Sequence, residues 1–210
     1  MSNSTAARRG VPVVLSGPSG VGKNTVLEAL LARVPGVAYC ISTTSRPPRG
    51  EERDGVDYHF LSREAFEAAI AAAEFAEWAE VHGALYGTHK ATLEAHLSAG
   101  DDVLLQKDVQ GGLALGQVYP DALLVYLLPP SMEELRRRLE GRHTDAEDVI
   151  QRRLEKAAWE NEQARGYTHL VINDDLDECI ATVEHIVLAN RQRRVRMLPE
   201  LVKRELVRGE

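Results

Sequence analysis

A glycine-rich loop between an apolar run and an amphipathic segment constrains the fold of this chain more than any other feature. The run VPVVLS, Val11 to Ser16, is rich in β-branched residues and predicts a short buried strand. The sequence NTVLEALLARV then places apolar residues at helical spacing, and Pro35-Gly36 ends this pattern. A strand, a glycine loop and a helix in this order indicate a parallel sheet, whose ligands lie beyond the carboxyl ends of its strands.

The loop itself, GPSGVGKN, has the spacing of a phosphate-binding loop up to Lys23. Its glycines allow successive backbone N–H groups to converge on phosphate oxygens, and the helix N-terminus adds partial positive charge. The ammonium of Lys23 suits the β- and γ-phosphates of a nucleoside triphosphate. The alternative is a glycine turn with a chance lysine, which the flanking strand and helix disfavour. The predicted ATP-binding residues of the loop are Gly17, Pro18, Ser19, Gly20, Val21, Gly22, Lys23, Asn24 and Thr25.

Apolar and helical segments alternate along the rest of the chain. Further strands are predicted in VAYCIS (37–42), ALLVYLLPP (122–130) and LVIND (170–174), and a strand with a glycine turn in AGDDVLLQKDVQGG (99–112). Helical patterns cover EAFEAAIAAAEFAEW (64–78), residues 131–165 with a break at GRHTDAED, and residues 176–196. We therefore predict an α/β fold of the P-loop NTPase type, a parallel sheet with helices on both faces.

Composition excludes several classes of protein. The net charge of −7 argues against a general nucleic-acid binder, for which a basic surface is expected. The two cysteines, Cys40 and Cys179, have no metal-binding spacing and are expected to be reduced thiols. A signal peptide is not expected, and no stretch approaches the ~20 apolar residues that cross a membrane. We expect a cytoplasmic protein.

A second cluster, STTSRPPRGEERDGVDYHF, carries two arginines three positions apart, Arg46 and Arg49, in a segment stiffened by Pro47 and Pro48. They could be solvated surface charges. Guanidinium groups match the geometry of phosphate oxygens, however, and the phosphate loop and Tyr58 favour a second anion pocket.

These segments, taken in order, resemble guanylate kinase. The resemblance rests on GPSGVGK, STTSRPPRGEERDGVDYHF, FAEWAEVHGALYGT, DVQGG, RRLEGRHTDAEDVIQRRL and VINDDLD, and runs from about Val11 to Arg194. It implies transfer of the γ-phosphoryl group of ATP to GMP and dGMP. It also implies a core (11–42, 90–130 and 166–210), an inserted GMP-binding lobe (43–89) and a lid region (131–165). The polar residues 1–10 by themselves predict a flexible tail.

The resemblance also assigns roles to single residues. It places Ser42, Arg46, Arg49, Tyr58 and Tyr86 on the phosphate of GMP, and Glu77, Thr88 and Asp108 on the guanine. The family's lid arginines match Arg138, Arg142 and Arg153, which would act in catalysis with Lys23 and Arg46. Asn173 matches the position that meets the adenine of ATP. A Glu77 carboxylate can accept from both guanine donors while Thr88 donates to O6, and adenine reverses that pattern.

Two positions depart from the family pattern, and both concern the metal. Asn24 replaces Ser or Thr, and Gln106 replaces an acidic residue, in the order Gln106-Lys107-Asp108. Strand alternation predicts Gln106 and Asp108 on one face and Lys107 on the other. The Asn24 carbonyl remains a hard oxygen acceptable to Mg²⁺, most of whose ligands would come from ATP phosphates and water. Our hypothesis is a matched retuning of the magnesium site in an active enzyme; the rival is impaired catalysis with nucleotide binding retained.

Two further functions stay open at this point. One is a non-catalytic guanylate-kinase-like binding module, against which Lys23 and the lid arginines argue. The other is a related P-loop kinase of another phosphorylated acceptor, such as a ribose bisphosphate, against which Glu77, Thr88 and Asp108 argue. The basic C-terminal segment RQRRVRMLPELVKREL is expected to form a helix that covers the core or mediates self-association. A homo-oligomer is therefore possible.

Overall fold

A parallel five-stranded sheet forms the centre of the molecule. The computed structural model describes residues 8–81, 83–141, 146–193, 196–197, 201–202, 204 and 206. The strands of the central sheet are, in spatial order, β2 (Val37–Tyr39), β7 (Asp102–Gln106), β1 (Pro12–Ser16), β8 (Leu123–Leu128) and β9 (His169–Ile172). All four neighbouring pairs are parallel. Their carboxyl ends therefore point to one edge of the sheet, where the phosphate loop begins.

The helices of the described residues are α1 (Lys23–Arg33), α2 (Arg63–Ala71), α3 (Lys90–Ala99), α4 (Val109–Val118), α5 (Met132–Glu140), α6 (Glu147–Gln163) and α7 (Leu176–Asn190). Of these, α1 and α7 cover one face of the central sheet, and α3 and α4 cover the other. One apolar core joins the sheet to α1 and α7, with Leu30 and Val183 fully buried. A second core joins it to α3 and α4, with Leu93 and Leu115 fully buried. The predicted α/β class with helices on both faces is confirmed.

A second, smaller sheet is built from the segment between β2 and α3. Its spatial order is β4 (His59–Phe60), β3 (Thr43–Thr44), β6 (Ala84–His89) and β5 (Phe75–Val81). The β5 and β6 strands pair antiparallel, and the register sets Glu77 opposite Thr88. This pairing brings two predicted guanine-binding residues together although eleven positions separate them in the sequence.

The helix predicted over residues 64–78 is wrong in its second half. The helix α2 ends at Ala71, Ala73 adopts a left-handed φ of 55°, and the chain continues as the β5 strand. Alanine-rich sequence favours a helix locally, but pairing with β6 decides the outcome. Glu77 consequently lies on a strand. The glycine turn predicted at DVQGG is also wrong, because Gly111 and Gly112 lie within α4.

Residues 8–10, predicted as part of a loose N-terminal tail, are instead held against the core. Arg8 pairs with Asp102 at 3.0 Å, Arg9 pairs with Glu94 at 2.7 Å, and the Gly10 N–H donates to the Leu97 carbonyl. At the other end, α7 stops at Asn190 and not at residue 196 as predicted. Within the part of the chain that the structure describes, no helix is long and apolar enough to cross a lipid bilayer.

Candidate active site

One cavity opens at the carboxyl edge of the central sheet and extends to the small sheet. Its volume is about 330 Å³. Residues from the phosphate loop, from both sheets and from the lid region contribute to its wall; they include Gly17, Ser19, Lys23, Ser42, Tyr58, Glu77, Tyr86, Gln106, Lys107, Asp108, Gly111, Lys156 and Glu160. Residues predicted for ATP and residues predicted for GMP therefore line the same space.

The phosphate loop is held in a conformation that needs its glycines. Gly17, Gly20 and Gly22 have φ values of 147°, 88° and 98°, which side chains rarely adopt. A Cβ on Gly17 would lie 2.5 Å from the Leu127 carbonyl oxygen. The Lys23 ammonium donates to the carbonyl oxygens of Gly17 and Pro18 at 2.6 and 3.0 Å, so it folds back over the loop. The loop can thus present backbone N–H groups and one ammonium to an anion.

The two positions that depart from the family pattern are in contact. The Gln106 Nε2 donates to Asn24 Oδ1 at 3.0 Å, joining the end of β7 to the first turn of α1. Asn24 is exposed, so solvent reaches this residue. Thr25 beside it is also exposed. The described residues contain no group of three or more His, Cys, Asp or Glu side chains that could hold a metal ion.

The Arg46 guanidinium is held from several sides. It donates to both carboxylate oxygens of Glu52, at 2.6 and 2.8 Å, and its Nε donates to the Tyr86 hydroxyl at 3.1 Å. The guanidinium carbon also lies 4.9 Å from the Tyr58 ring centroid, within cation–π range. Hydrogen bonds from Arg46 lower the pKa of Glu52 to about 2, so this pair stays ionised at neutral pH.

The other residues predicted to bind the GMP phosphate differ in whether their side chains line the cavity. Tyr58 and Tyr86 meet edge to face with centroids 6.1 Å apart, and both line the cavity. Ser42 is buried and lines the same cavity. The Arg49 side chain is exposed, while its backbone N–H donates to Glu52 at 2.8 Å. Glu52 therefore organises the arginine loop, although the prediction did not single it out.

The residues predicted to read guanine lie close together, and two of them are hydrogen-bonded to each other. The Thr88 hydroxyl is fully buried and donates to Glu77 Oε1 at 2.7 Å. Asp108 caps α4, with its Oδ1 accepting from the Gly111 N–H at 2.8 Å. A Cβ on Gly111 would lie 3.1 Å from Asp108 Oδ1 and 3.4 Å from Glu77 Oε2. Both carboxylates therefore face the open side of this glycine.

The structure places Lys107 in the cavity, contrary to the prediction from strand alternation. Because β7 ends at Gln106, alternation no longer applies, and the Lys107 ammonium lies 2.7 Å from Glu77 Oε1. It also donates to Ser42 Oγ at 3.0 Å. The only sequence signal for the contact between Lys107 and Glu77 was the presence of a lysine in an otherwise apolar segment.

The lid region contributes two cavity residues that the sequence did not suggest, Lys156 and Glu160 of α6. Burial raises the pKa of Glu160, and the Lys156 ammonium 3.7 Å away counteracts it in part. Of the predicted lid arginines, Arg138 donates to Glu134 at 2.8 Å, and Arg153 is half-buried on α6. Arg142 lies outside the described residues.

Asn173 stands directly behind the phosphate loop. Its side chain is buried, and its Nδ2 donates to the Val21 carbonyl at 2.7 Å. A Cβ on Gly22 would lie 2.7 Å from the same Nδ2. Asn173 therefore fixes the loop, and its contact with adenine stays a prediction.

Comparisons with known proteins agree on one family. The family model described as guanylate kinase matches residues 9–190. A guanylate kinase of Symbiobacterium thermophilum is 42% identical over 201 residues, which are 96% of this chain and 95% of that protein. One of Thermus thermophilus is 48% identical over 189 residues, covering 90% and 86%. The crystal structure of guanylate kinase from Anaplasma phagocytophilum has a TM-score of 0.76 at 31% identity, covering 97% of this chain and 99% of that one.

Proposed function

This chain belongs to the guanylate kinase family, and on that premise we infer that it transfers a phosphoryl group from ATP to GMP, giving ADP and GDP. One observation carries the site assignment: a single cavity is lined by Lys23 of the phosphate loop and by Glu77 and Tyr86 of the small sheet. Two anion-binding groups facing one space suit a reaction between two phosphorylated nucleotides. We extend the acceptor to dGMP, since the residues proposed to bind GMP are assigned to its base and its phosphate and not to the ribose hydroxyls.

We propose that the phosphate loop and Lys23 hold the ATP phosphates. Arg46, kept in place by Glu52 and Tyr86, would meet the GMP phosphate together with Ser42, Arg49 and Tyr58. The acceptor oxygen belongs to a phosphate whose second pKa is about 6, so it is mostly ionised at neutral pH and needs no general base. Catalysis then consists of aligning the two phosphates and stabilising the charge that develops between them.

Discrimination between purines follows from Glu77. A carboxylate accepts from the N1–H and the exocyclic amine of guanine, and Asp108 stands beside the same opening. Adenine presents an acceptor at N1, which would leave the buried Glu77 facing another acceptor, a cost of about 1–3 kcal/mol or more. We propose that the Thr88 hydroxyl hydrogen, which is donated to Glu77 in the described structure, turns to guanine O6 when the base binds.

As an ATP-dependent kinase of this family, the enzyme uses a divalent metal, which we propose is Mg²⁺. Asn24 Oδ1 fits such an ion as one exposed hard oxygen at the start of α1, and the ATP phosphates would provide other ligands. When bound, the ion supplies positive charge to the phosphate oxygens. Gln106 keeps the Asn24 amide oriented by donating to that oxygen.

We propose that the lid region, residues 131–165, brings Arg138, Arg142 and Arg153 onto the transferring phosphoryl group when both nucleotides are bound. In the described structure Arg138 pairs with Glu134 on its own helix. Arginines that arrive with closure exclude water and supply cations at the reacting atoms. Residues 43–89 would act as the GMP-binding lobe, a division that the separate four-stranded sheet supports.

A coupled assay of ADP formation with GMP, AMP, UMP and ribose bisphosphate tests the proposal. We expect turnover with GMP and at least about a hundredfold lower kcat/KM with AMP, equivalent to about 2.7 kcal/mol. Lys23→Ala should abolish turnover while leaving the fold intact by circular dichroism. Binding of GMP without turnover would instead support a non-catalytic module, and turnover of ribose bisphosphate would support another kinase. No observation favours either alternative.

A further inference from the structure

A buried ammonium lies between the two halves of the proposed GMP site. Lys107 is 8% exposed, its Nζ lies 2.7 Å from Glu77 Oε1, and it donates to Ser42 Oγ at 3.0 Å. Glu77 belongs to the proposed base site and Ser42 to the proposed phosphate site. A buried lysine is costly unless it is paired, so this contact is part of how the pocket is built.

The contacts divide the two oxygens of Glu77 between different tasks. Oε1 receives both the Lys107 ammonium and the Thr88 hydroxyl, each at 2.7 Å. An ion pair and a hydrogen bond therefore both engage that oxygen. Oε2 lies beside Gly111, which lines the cavity with Glu77. The protein thus holds the Glu77 carboxylate through Oε1, and Oε2 is left for a ligand.

We propose that Lys107 is a positioning residue for GMP, which holds the Glu77 carboxylate in the orientation in which its remaining acceptor positions meet the donors of guanine. The inference rests on the proposed function and deepens it. Lys107 acts through Glu77 and not on the reacting phosphates. Its loss should therefore weaken the use of GMP much more than the use of ATP.

Several titratable groups lie near Glu77. They are Lys107, Asp108 at the start of α4 and Cys40 after β2, with Lys156 and Glu160 of α6 on the wall of the same cavity. The β6 strand contributes Tyr86 and Thr88, and α3 packs against β5 through apolar residues. Lys107 is the cation in direct contact with Glu77. Without this ion pair, the buried carboxylate would be held less firmly in the orientation that faces guanine.

The test compares steady-state kinetics of wild type, Lys107→Met and Lys107→Arg at one pH near neutrality. We expect Lys107→Met to raise KM for GMP about tenfold, with kcat and KM for ATP changed less than about threefold. Lys107→Arg keeps a cation beside Glu77 and Ser42, so its KM for GMP should stay within about threefold of the wild-type value.

Lys90→Met is the matched control, because it removes an exposed lysine at the start of α3, outside the cavity. If Lys107→Met does not fold, Lys107→Gln replaces it, since it removes the charge while keeping a donor. An unchanged KM for GMP overturns the inference, and so does a loss that is shared by kcat and KM for ATP or that is as large in Lys107→Arg as in Lys107→Met. Failure of the wild type to phosphorylate GMP overturns the proposed function instead, which separates the two.

Discussion

At the scale of single residues, two contacts decide how this site differs from a generic phosphate-binding loop. The first joins Asn24 to Gln106, two positions that both depart from the family pattern. The second joins Arg46 to Glu52 through both carboxylate oxygens. Each contact ties a residue proposed to touch a nucleotide to one that does not, so each can be tested by changing the partner or the residue itself.

Replacing Asn24 by serine tests the metal site. Serine restores a short hydroxyl at the start of α1 and releases Gln106, so an ion beside the ATP phosphates can approach the protein more closely. We expect the Mg²⁺ concentration for half-maximal rate to fall about three- to tenfold, a change of about 0.7–1.4 kcal/mol. The measurement is a titration with Mg²⁺ and Mn²⁺, with Glu28→Ser on the same helix as control. Unchanged metal dependence and rate would show that the retuning hypothesis is wrong.

Replacing Glu52 by glutamine tests the arginine loop. The variant removes the charge that holds Arg46 and Arg49, so we expect KM for GMP to rise about three- to tenfold, equivalent to about 0.7–1.4 kcal/mol. Because the pKa of Glu52 is about 2, this pair should add no pH dependence above about pH 4. Initial rates at pH 5–8 measure both effects. A lower KM would mean that Glu52 competes with the phosphate and does not position Arg46. Glu51→Gln, at the exposed neighbouring position, is the control.

At the scale of elements, the first turn of α4 serves both the fold and the site through adjacent glycines. Gly111 faces Asp108 and Glu77, whereas a Cβ on Gly112 would overlap the Tyr167 hydroxyl and lie 3.0 Å from its Cζ. That hydroxyl is buried and donates to Ser16 Oγ at 2.7 Å, at the end of β1. The helix thus contacts the central sheet with one residue and the cavity with its neighbour.

The two alanine variants should therefore separate stability from substrate use. We expect Gly112→Ala to lower the free energy of unfolding by about 1–3 kcal/mol, because the buried Tyr167 must shift. Gly111→Ala should raise KM for GMP several-fold with a smaller loss of stability, since its Cβ presses on two carboxylates. Urea denaturation and initial rates on both proteins check this. Equal effects on stability and on KM in the two variants would contradict the assignment.

At the scale of the whole molecule, a buried ion-pair cluster ties the two ends of the described chain to the sheet. Asp102, at the start of β7, is 1% exposed. Its carboxylate meets Arg8 at 3.0 Å, Arg191 at 2.8 Å and Arg196 at 3.0 Å. Burial alone would raise the pKa of Asp102, but hydrogen bonds from Arg191 and Arg8 outweigh it and lower the pKa below its usual value.

The cluster predicts a loss of stability on substitution and at low pH. Asp102→Asn leaves buried guanidinium groups without their counter-charge, so we expect a loss of about 3–5 kcal/mol in free energy of unfolding. In the wild type, a lowered folded-state pKa means that the carboxylate stabilises the fold above the unfolded value of about 3.9. That contribution disappears as pH falls through the folded-state value. Urea denaturation at pH 7 and at successively lower pH values down to pH 3 measures the loss on substitution and the loss at low pH. The control is Asp101→Asn, at a half-exposed position. Equal losses in the two variants would contradict the role of the cluster.

Local patterns in the sequence determined much of this protein. The strand Pro12–Ser16, the phosphate loop and α1 follow from β-branched composition, glycine spacing and apolar periodicity, which act over a few residues. The parallel sheet with helices on both faces follows from the alternation of such segments. The ordered motifs also predicted Glu77, Thr88 and Asp108 as guanine-binding residues from the sequence alone.

Only the tertiary structure decided the contacts made across large separations in the chain. Pairing with β6 turned the alanine-rich segment around Glu77 from a helix into a strand, because ladder hydrogen bonds and burial outweigh local helix propensity. The end of β7 at Gln106 turned Lys107 into the pocket, where Glu77 offered the counter-charge that a buried ammonium requires. Asp102 likewise forms ion pairs with Arg8 and Arg196, which lie far apart in the sequence. Such partners are selected by burial and charge in three dimensions, which spacing along a sequence does not encode.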